Sequence, residues 1–416
     1  MKTEIEKIVS DAIAACDPEE NVYRIVSART YDLPPVVISI GKAAAAQARG
    51  AARALNGRFK KGVIVTKYGH ADNPPAGFEI IEAGHPVPDE NSERGAEAAL
   101  NAVNDLSAQD AVLLLVSGGG SALFEKSAVP LARLRAITDE MLRKGCEIAE
   151  INAVRKKLSL VKGGRFAAAC APARVENLLL SDVLGDPPEI IASGPGVQDD
   201  TPDGFAAAVA ERYGLSITDG ERALLLAPAP RIENAGEPVF TGNLSILLTA
   251  AKKSAEALGY ETRIVNDALT GEARDRAREF CGFLIEEQKK HPQKKRAYIM
   301  GGETTVTVRG SGKGGRNQEF ALAAAKYLDG TDGVTVFAVG SDGTDGPTLN
   351  AGGFADGATA ERIRAGGRSV DAYLAENDSA AALALCDSLI VTGPTGTNVN
   401  DLYMGLLGPT RSQDRE

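Results

Sequence analysis

Short apolar runs recur along the chain, and most break off abruptly into glycine and polar residues. Val36–Ile40 (VVISI) gives way to Gly41-Lys42 and an alanine-rich stretch, Ala111–Val116 (AVLLLV) opens into Ser117-Gly118-Gly119-Gly120-Ser121, and residues 177–180 (NLLL) end at Ser181-Asp182. Farther on, 297–300 (AYIM) lead to Gly301-Gly302-Glu303-Thr304, 334–339 (VTVFAV) to a loop carrying Asp342 and Asp345, and 388–391 (SLIV) to a loop that reaches Asn398. Runs this short, rich in leucine and β-branched residues and bounded by glycine, predict strands. Two more, GVIVT and FEIIEA, lie between residues 62 and 83. Helical stretches expected at 43–55, 92–106 and around 138–150 separate these runs. The alternation predicts an α/β architecture, a parallel sheet with helices on both faces.

The second half repeats the alternation. Strands are expected at 245–250 (SILLTA), 262–266 (TRIVN), AYIM, 305–308 (TVTV), VTVFAV and SLIV, with helices at 252–258, 272–289 and 318–328. TVTV follows AYIM after only four residues, too few for a parallel crossover, so it predicts an antiparallel or edge strand in a mixed sheet. Between the halves, 228–238 (PAPRIENAGEP) is rich in proline, glycine and asparagine and marks a junction. A chain of 416 residues exceeds what one core usually organises. Two domains, 1–235 and 236–416, are therefore expected.

Composition narrows the class. Hydrophobic residues make up 44% and charged residues 25%, ordinary for a soluble globular protein. A formal charge of -10, with no basic tract longer than 289–296 (KKHPQKKR), argues against general nucleic-acid binding. Five cysteines without CxxC spacing and three histidines without an HxxxH pair argue for reduced thiols and against zinc. The charged amphipathic start lacks an apolar signal core, and no apolar run approaches about 18 residues. A cytoplasmic protein, neither exported nor membrane-spanning, is expected.

The candidate chemistry sits where strands end. In open α/β sheets, ligands bind beyond the carboxyl ends of strands. Ser117, Gly118, Gly119, Gly120 and Ser121 would present N–H groups unshielded by Cβ atoms, a nest suited to phosphate oxygens. Lys42 follows Gly41 at a helix start, where side chain and helix would both face an anion. Asn152, Arg155, Lys156, Lys162 and Arg165 place cations and an amide within fourteen residues, able to hold a carboxylate or phosphate, Arg bidentately. Arg316, at the mouth of the helix after Gly312-Lys313-Gly314-Gly315, resembles an anion clamp. Asp342 and Asp345 suit either Mg²⁺ held partly through water or activation of a hydroxyl. Each pattern has a plain structural alternative: a tight turn, a solvated helix face, a surface hairpin or an Asx turn.

Taken in order, GKAA (41–44), AGHPVPD (83–89), LVSGGGSAL (115–123), NAVRKKLSLVKGGR (152–165), SDVLGDPPEIIASGP (181–195), GGETTVTVRGSGKGGRNQEFALA (301–323), GSDGTDGP (340–347) and TGPTGTNVNDL (392–402) resemble the glycerate 2-kinases of the MOFRL type, some of which have carried the label hydroxypyruvate reductase. The resemblance covers essentially the whole chain. It implies an N-terminal Rossmann-like domain, a C-terminal MOFRL domain, and transfer of the ATP γ-phosphate to the 2-hydroxyl of D-glycerate with Mg²⁺. It implies Lys42, Asp182, Arg316 and Asp345 at or near the reacting phosphate; the SGGGS loop with Lys162, Glu303 and Asn398 for the nucleotide; Asn152, Arg155, Lys156 and Asp342 for the substrate; Asp182 and Asp342 for the metal. The site is expected in the interdomain cleft, and a homodimer is an admissible assembly.

Phosphoryl transfer asks a protein mainly for positioning and charge neutralisation, which these residue types supply without a nucleophilic Cys or Ser. Two other classes remain at this stage. A nicotinamide-dependent hydroxypyruvate reductase would need a GxGxxG turn, which follows none of the expected strands. A sugar-phosphate-binding regulatory protein would use the same cradles without consuming ATP.

Overall fold

The computed structural model describes residues 1–410. Residues 411–416, the end of the expected second domain, lie outside that range. The chain divides into two compact units: one holds Pro18–Thr241, the other Met1–Asp17 together with the chain from Gly242 onward. The expected boundary at 235/236 thus stands beside an observed one at Thr241/Gly242, and the first 17 residues go with the second half.

The first unit is built on β1 (Val36–Ile40), β2 (Lys61–Lys67), β3 (Phe78–Ala83), β4 (Ala111–Val116), β5 (Arg174–Leu180) and β6 (Val239–Gly242), ordered β3-β2-β1-β4-β5-β6. The pairings β3/β2, β2/β1, β1/β4 and β4/β5 are all parallel. The unbroken apolar runs follow from burial on both faces. Val36, Ile38, Ile40, Val112, Leu114 and Val116 enter one core, while Val37, Leu113 and Leu115 enter the other. The chain leaves β1 toward β2 and β3, then returns to the opposite side of β1 as β4. The β1 and β4 ends therefore flank a topological switch point.

The second unit carries β7 (Glu261–Leu269), β8 (Arg296–Gly302), β9 (Val334–Gly340), β10 (Gly352–Asp356), β11 (Leu389–Ile390) and β12 (Asp401–Leu407), ordered β11-β10-β9-β12-β8-β7. Only the β7/β8 pairing is parallel, so the sheet is mixed. The helices Ala273–Lys290 and Arg316–Leu328 cover one face of it through Phe280, Leu284, Phe320 and Leu328.

Two expected strands are corrected. Residues 245–250 belong to the helix Leu244–Ala257, begun by the Asn243 side chain, which accepts from the Ile246 N–H at 2.9 Å. Leu244, Leu247, Leu248 and Ala251 are its buried stripe, and a six-residue apolar window hides that helical period. Residues 305–308 form no strand beyond a single bridge from Thr305 to Glu272. Both edges of β8 are already taken, by β7 and β12, and Glu272 accepts from the Thr307 N–H. Strand β12, in the middle of the sheet, was not anticipated. Its DLYMGLL sequence hides a glycine, Gly405, where a Cβ would lie 2.4 Å from Leu284 Cδ1. No helix among the described residues is long and apolar enough to cross a membrane.

Candidate active site

The ends of β1 and β4 are stitched together. The Ser117 N–H donates to the Ile40 carbonyl at 2.9 Å, the Lys42 N–H to the Gly118 carbonyl at 2.9 Å, and the Ala43 N–H to Ser117 Oγ at 3.1 Å. At Gly41, with φ +111°, a Cβ would lie 2.3 Å from Ser117 Oγ, so this contact admits only glycine. Ser117 itself is buried, its hydroxyl donating to Ile40 O at 3.1 Å, and it braces the loop from beneath.

Three strand ends close on the next two glycines. A Cβ on Gly118 would lie 2.3 Å from Asp182 Oδ2, in the loop after β5. A Cβ on Gly119 would lie 3.1 Å from His85 Cδ2, after β3, and 3.3 Å from Lys42 Cγ, after β1. The glycines are thus the floor on which Lys42, His85 and Asp182 converge. Both glycines are partly exposed, and their N–H groups donate to no acceptor among the described residues, as an anion cradle requires. The Lys42 ammonium, half-buried, makes no hydrogen bond or salt bridge among the described residues. Burial raises the Asp182 carboxyl above the usual carboxylate range, against the pull of the Lys42 charge.

The loop is propped from behind. Gly120 packs against Ala192, where a Cβ would meet Ala192 Cβ at 2.5 Å, and the Ser121 and Ser193 hydroxyls share a hydrogen bond of 2.8 Å. Ala192 and Ser193 both hold positive φ, +51° and +61°, a strained run that the surroundings must enforce. Arg155 donates to the Ser121 carbonyl at 2.9 Å. Lys162 is sealed from solvent in an ion pair with Glu125, with a further bond to the Phe124 carbonyl at 3.1 Å; burial lowers it to about 8. Lys156, also buried, pairs with Asp199 at 3.1 Å. Asn152 is half-buried on the same helix, Ile148–Lys157. The structure therefore brings Lys42, Asp182 and the 118–119 amides together, and places Lys156 and Lys162 in the scaffold behind them.

A second cluster forms in the other unit. Antiparallel pairing sets Asp401, at the start of β12, opposite Gly302 and Gly340, at the ends of β8 and β9. Asp401 is buried and accepts from Arg316 Nε and Nη2 at 2.5 and 3.0 Å, while Arg316 Nη1 meets Glu303 at 2.9 Å. Burial opposes the Arg316 charge, but the Asp401 and Glu303 carboxylates outweigh it and raise its pKa further. Tyr403 donates to Asp401 Oδ2 at 3.0 Å and completes the fixture. Asp345 accepts from the Asn317 and Gln318 N–H groups at 3.1 and 2.8 Å and from Gln318 Nε2 at 3.0 Å. It caps the helix that Arg316 begins, and burial pushes it up to about 6. Asp342 is half-buried in an Asx turn to the Thr344 N–H at 2.9 Å; Asn398 accepts from the Asn400 N–H at 3.4 Å.

Sequence reading missed His85, Glu125, Ser193, Asp401 and Tyr403. His85 carried a usable signal, since it follows FEIIEA as Lys42 follows VVISI; Asp401 lies in the 392–402 motif, but the strand it begins was not recognised.

Fold and site define an α/β protein of two units, with a glycine floor flanked by Lys42, His85 and Asp182 at the switch point of its parallel sheet. Residues 4–229 match the model of a domain of unknown function, DUF4147, and residues 296–401 match the MOFRL family model. The D-glycerate 2-kinase of Thermotoga maritima is 44% identical over 96% of this chain and 97% of that protein. A putative hydroxypyruvate reductase of Agrobacterium vitis is 40% identical over 97% and 94%. The crystal structure of a glycerate kinase from Thermotoga maritima matches with a TM-score of 0.94, covering 98% of this chain and 99% of that one. The chain belongs to the MOFRL-type glycerate 2-kinase family.

Proposed function

We propose that the protein transfers the γ-phosphoryl group of ATP to the 2-hydroxyl of D-glycerate, yielding 2-phosphoglycerate. The observation that supports this most is the convergence of Lys42, Asp182 and two uncommitted amides on Gly118 and Gly119. Anionic phosphate oxygens fit the amides, and Lys42 neutralises charge that spreads over the transferring group. Arg316, held rigid by Asp401, supplies a second cation from the other unit.

The donor set fits Mg²⁺ bound through the nucleotide. Among the described residues, no group of three His, Cys, Asp or Glu side chains is placed to hold a metal by itself. Mg²⁺ commonly takes one or two carboxylates and completes its shell with phosphate and water. Asp182, and Asp342 in the other unit, are the carboxylates proposed for it. When bound, the ion neutralises phosphate charge. With both its oxygens committed to the helix, Asp345 acts by aiming Arg316.

Purified protein given Mg-ATP and D-glycerate should form a product that enolase consumes directly, without a mutase. Phosphate on the 3-hydroxyl would refute the assignment. Oxidation of NADH with hydroxypyruvate at a comparable rate would favour the reductase reading instead.

A further inference from the structure

We infer that His85 is a catalytic residue: its imidazole takes the proton of the acceptor hydroxyl as phosphoryl transfer proceeds. The inference rests on the kinase reading and names the base that this reading leaves unassigned.

Position is the first argument. His85 follows β3 at the carboxyl edge of the parallel sheet, and its Cδ2–Nε2 edge lies against Gly119, with the Gly119 Cβ position 3.1 Å from Cδ2 and 3.3 Å from Nε2. The same glycine is flanked by Lys42, so a phosphoryl group on the loop amides and an acceptor hydroxyl near His85 would be neighbours. Availability is the second argument. The residue is half-buried, and its ring has no hydrogen-bond partner among the described residues. Elimination is the third. Asp345 spends both oxygens on the helix cap, and Asp182 and Asp342 are the carboxylates proposed for the metal.

The charge state agrees. Burial comes first in lowering the imidazole below its ordinary value, followed by Lys42, Lys67 and His70, the charged or titratable groups facing it from the ends of β1 and β2 and the loop beyond. Near neutral pH the ring is therefore uncharged and able to accept a proton. In the step, O2 of glycerate bonds to the γ-phosphorus. The bond from that phosphorus to the β,γ-bridging oxygen breaks, and its electron pair leaves with the nucleoside diphosphate. The hydroxyl proton passes to Nε2 and from there to water.

Two measurements test this. In the enolase-coupled assay, His85→Gln should lower kcat by about 10²-fold or more with a much smaller change in KM for glycerate. The acid limb of the wild-type pH profile should change in the variant, and His291→Gln should behave as wild type. A kcat within about threefold of wild type, or a loss confined to KM, would overturn the inference. Separately, NMR titration of the three histidines should show His85 below its ordinary range, moving up in Lys42→Met and shifting selectively when glycerate and a non-hydrolysable ATP analogue are added. An ordinary, unresponsive titration would overturn it too, even if His85→Gln fails to fold. If wild-type protein makes no phosphoglycerate, the kinase reading fails first, while the titration still reports on the Lys42–His85 placement.

Discussion

Lys42 and Asp182 sit at the ends of different strands yet meet over adjacent glycines, Gly119 and Gly118, and the Lys42 charge pulls the Asp182 carboxyl down against its burial. A cation kept half-buried without a committed partner is costly unless an anion arrives to use it. Lys42→Met keeps most of the apolar stem and removes that charge. We expect the folded protein to lose about 10²-fold or more in turnover, about 2.7 kcal/mol of transition-state stabilisation, with its melting temperature little changed. Steady-state kinetics beside a thermal melt check this, and near-normal turnover would return Lys42 to a surface role. Asp182 was legible from its place after NLLL, and Lys42 from its place after VVISI. That Lys162 would be sealed in an ion pair was not, because burial of a lysine depends on which chain covers it.

At the scale of elements, ion pairs at helix ends tie neighbouring helices to one another. The helix Asp219–Leu226 opens with a capping box in which Glu221 accepts from the Thr218 N–H at 2.8 Å. The same carboxylate binds Arg133, on the neighbouring helix Leu131–Arg143, at 2.6 Å. The Arg133 bond comes first in holding Glu221 down, to about 2, against the opposing effect of burial. Because the folded value lies below the unfolded one, this stabilisation is fully present above the ordinary carboxylate range and is lost as pH falls toward about 2. Glu221→Gln keeps the cap acceptor and removes the charge. Urea unfolding should show a cost of about 2 kcal/mol at neutral pH that shrinks steadily as the solution is acidified. A cost independent of pH would show that the pairing with Arg133 contributes little.

For the molecule as a whole, the first 17 residues fold with the second unit. Helix Lys2–Ala14 buries Ile5, Ile8, Val9 and Ala12, and it packs on the helix Leu244–Ala257 of the same unit. Ile8→Ala should cost about 2–5 kcal/mol. Hydrogen exchange should rise in the helix Leu244–Ala257 and not in β1 to β5; faster exchange in the parallel sheet would contradict this division. By itself the sequence determined the α/β class, the runs of β1 to β5 and of β7, β8, β9 and β11, and the loops proposed to carry the chemistry. It could do so because strands buried on both faces are uniformly apolar and a ligand loop must change composition where they end. Tertiary structure alone decided that SILLTA is helical, that TVTV pairs with almost nothing, that DLYMGLL is a central strand, and that His85 and Asp401 belong to the two clusters. Those outcomes depend on which edges are already occupied and which side chains arrive from distant loops, and neither is written in a local window of sequence.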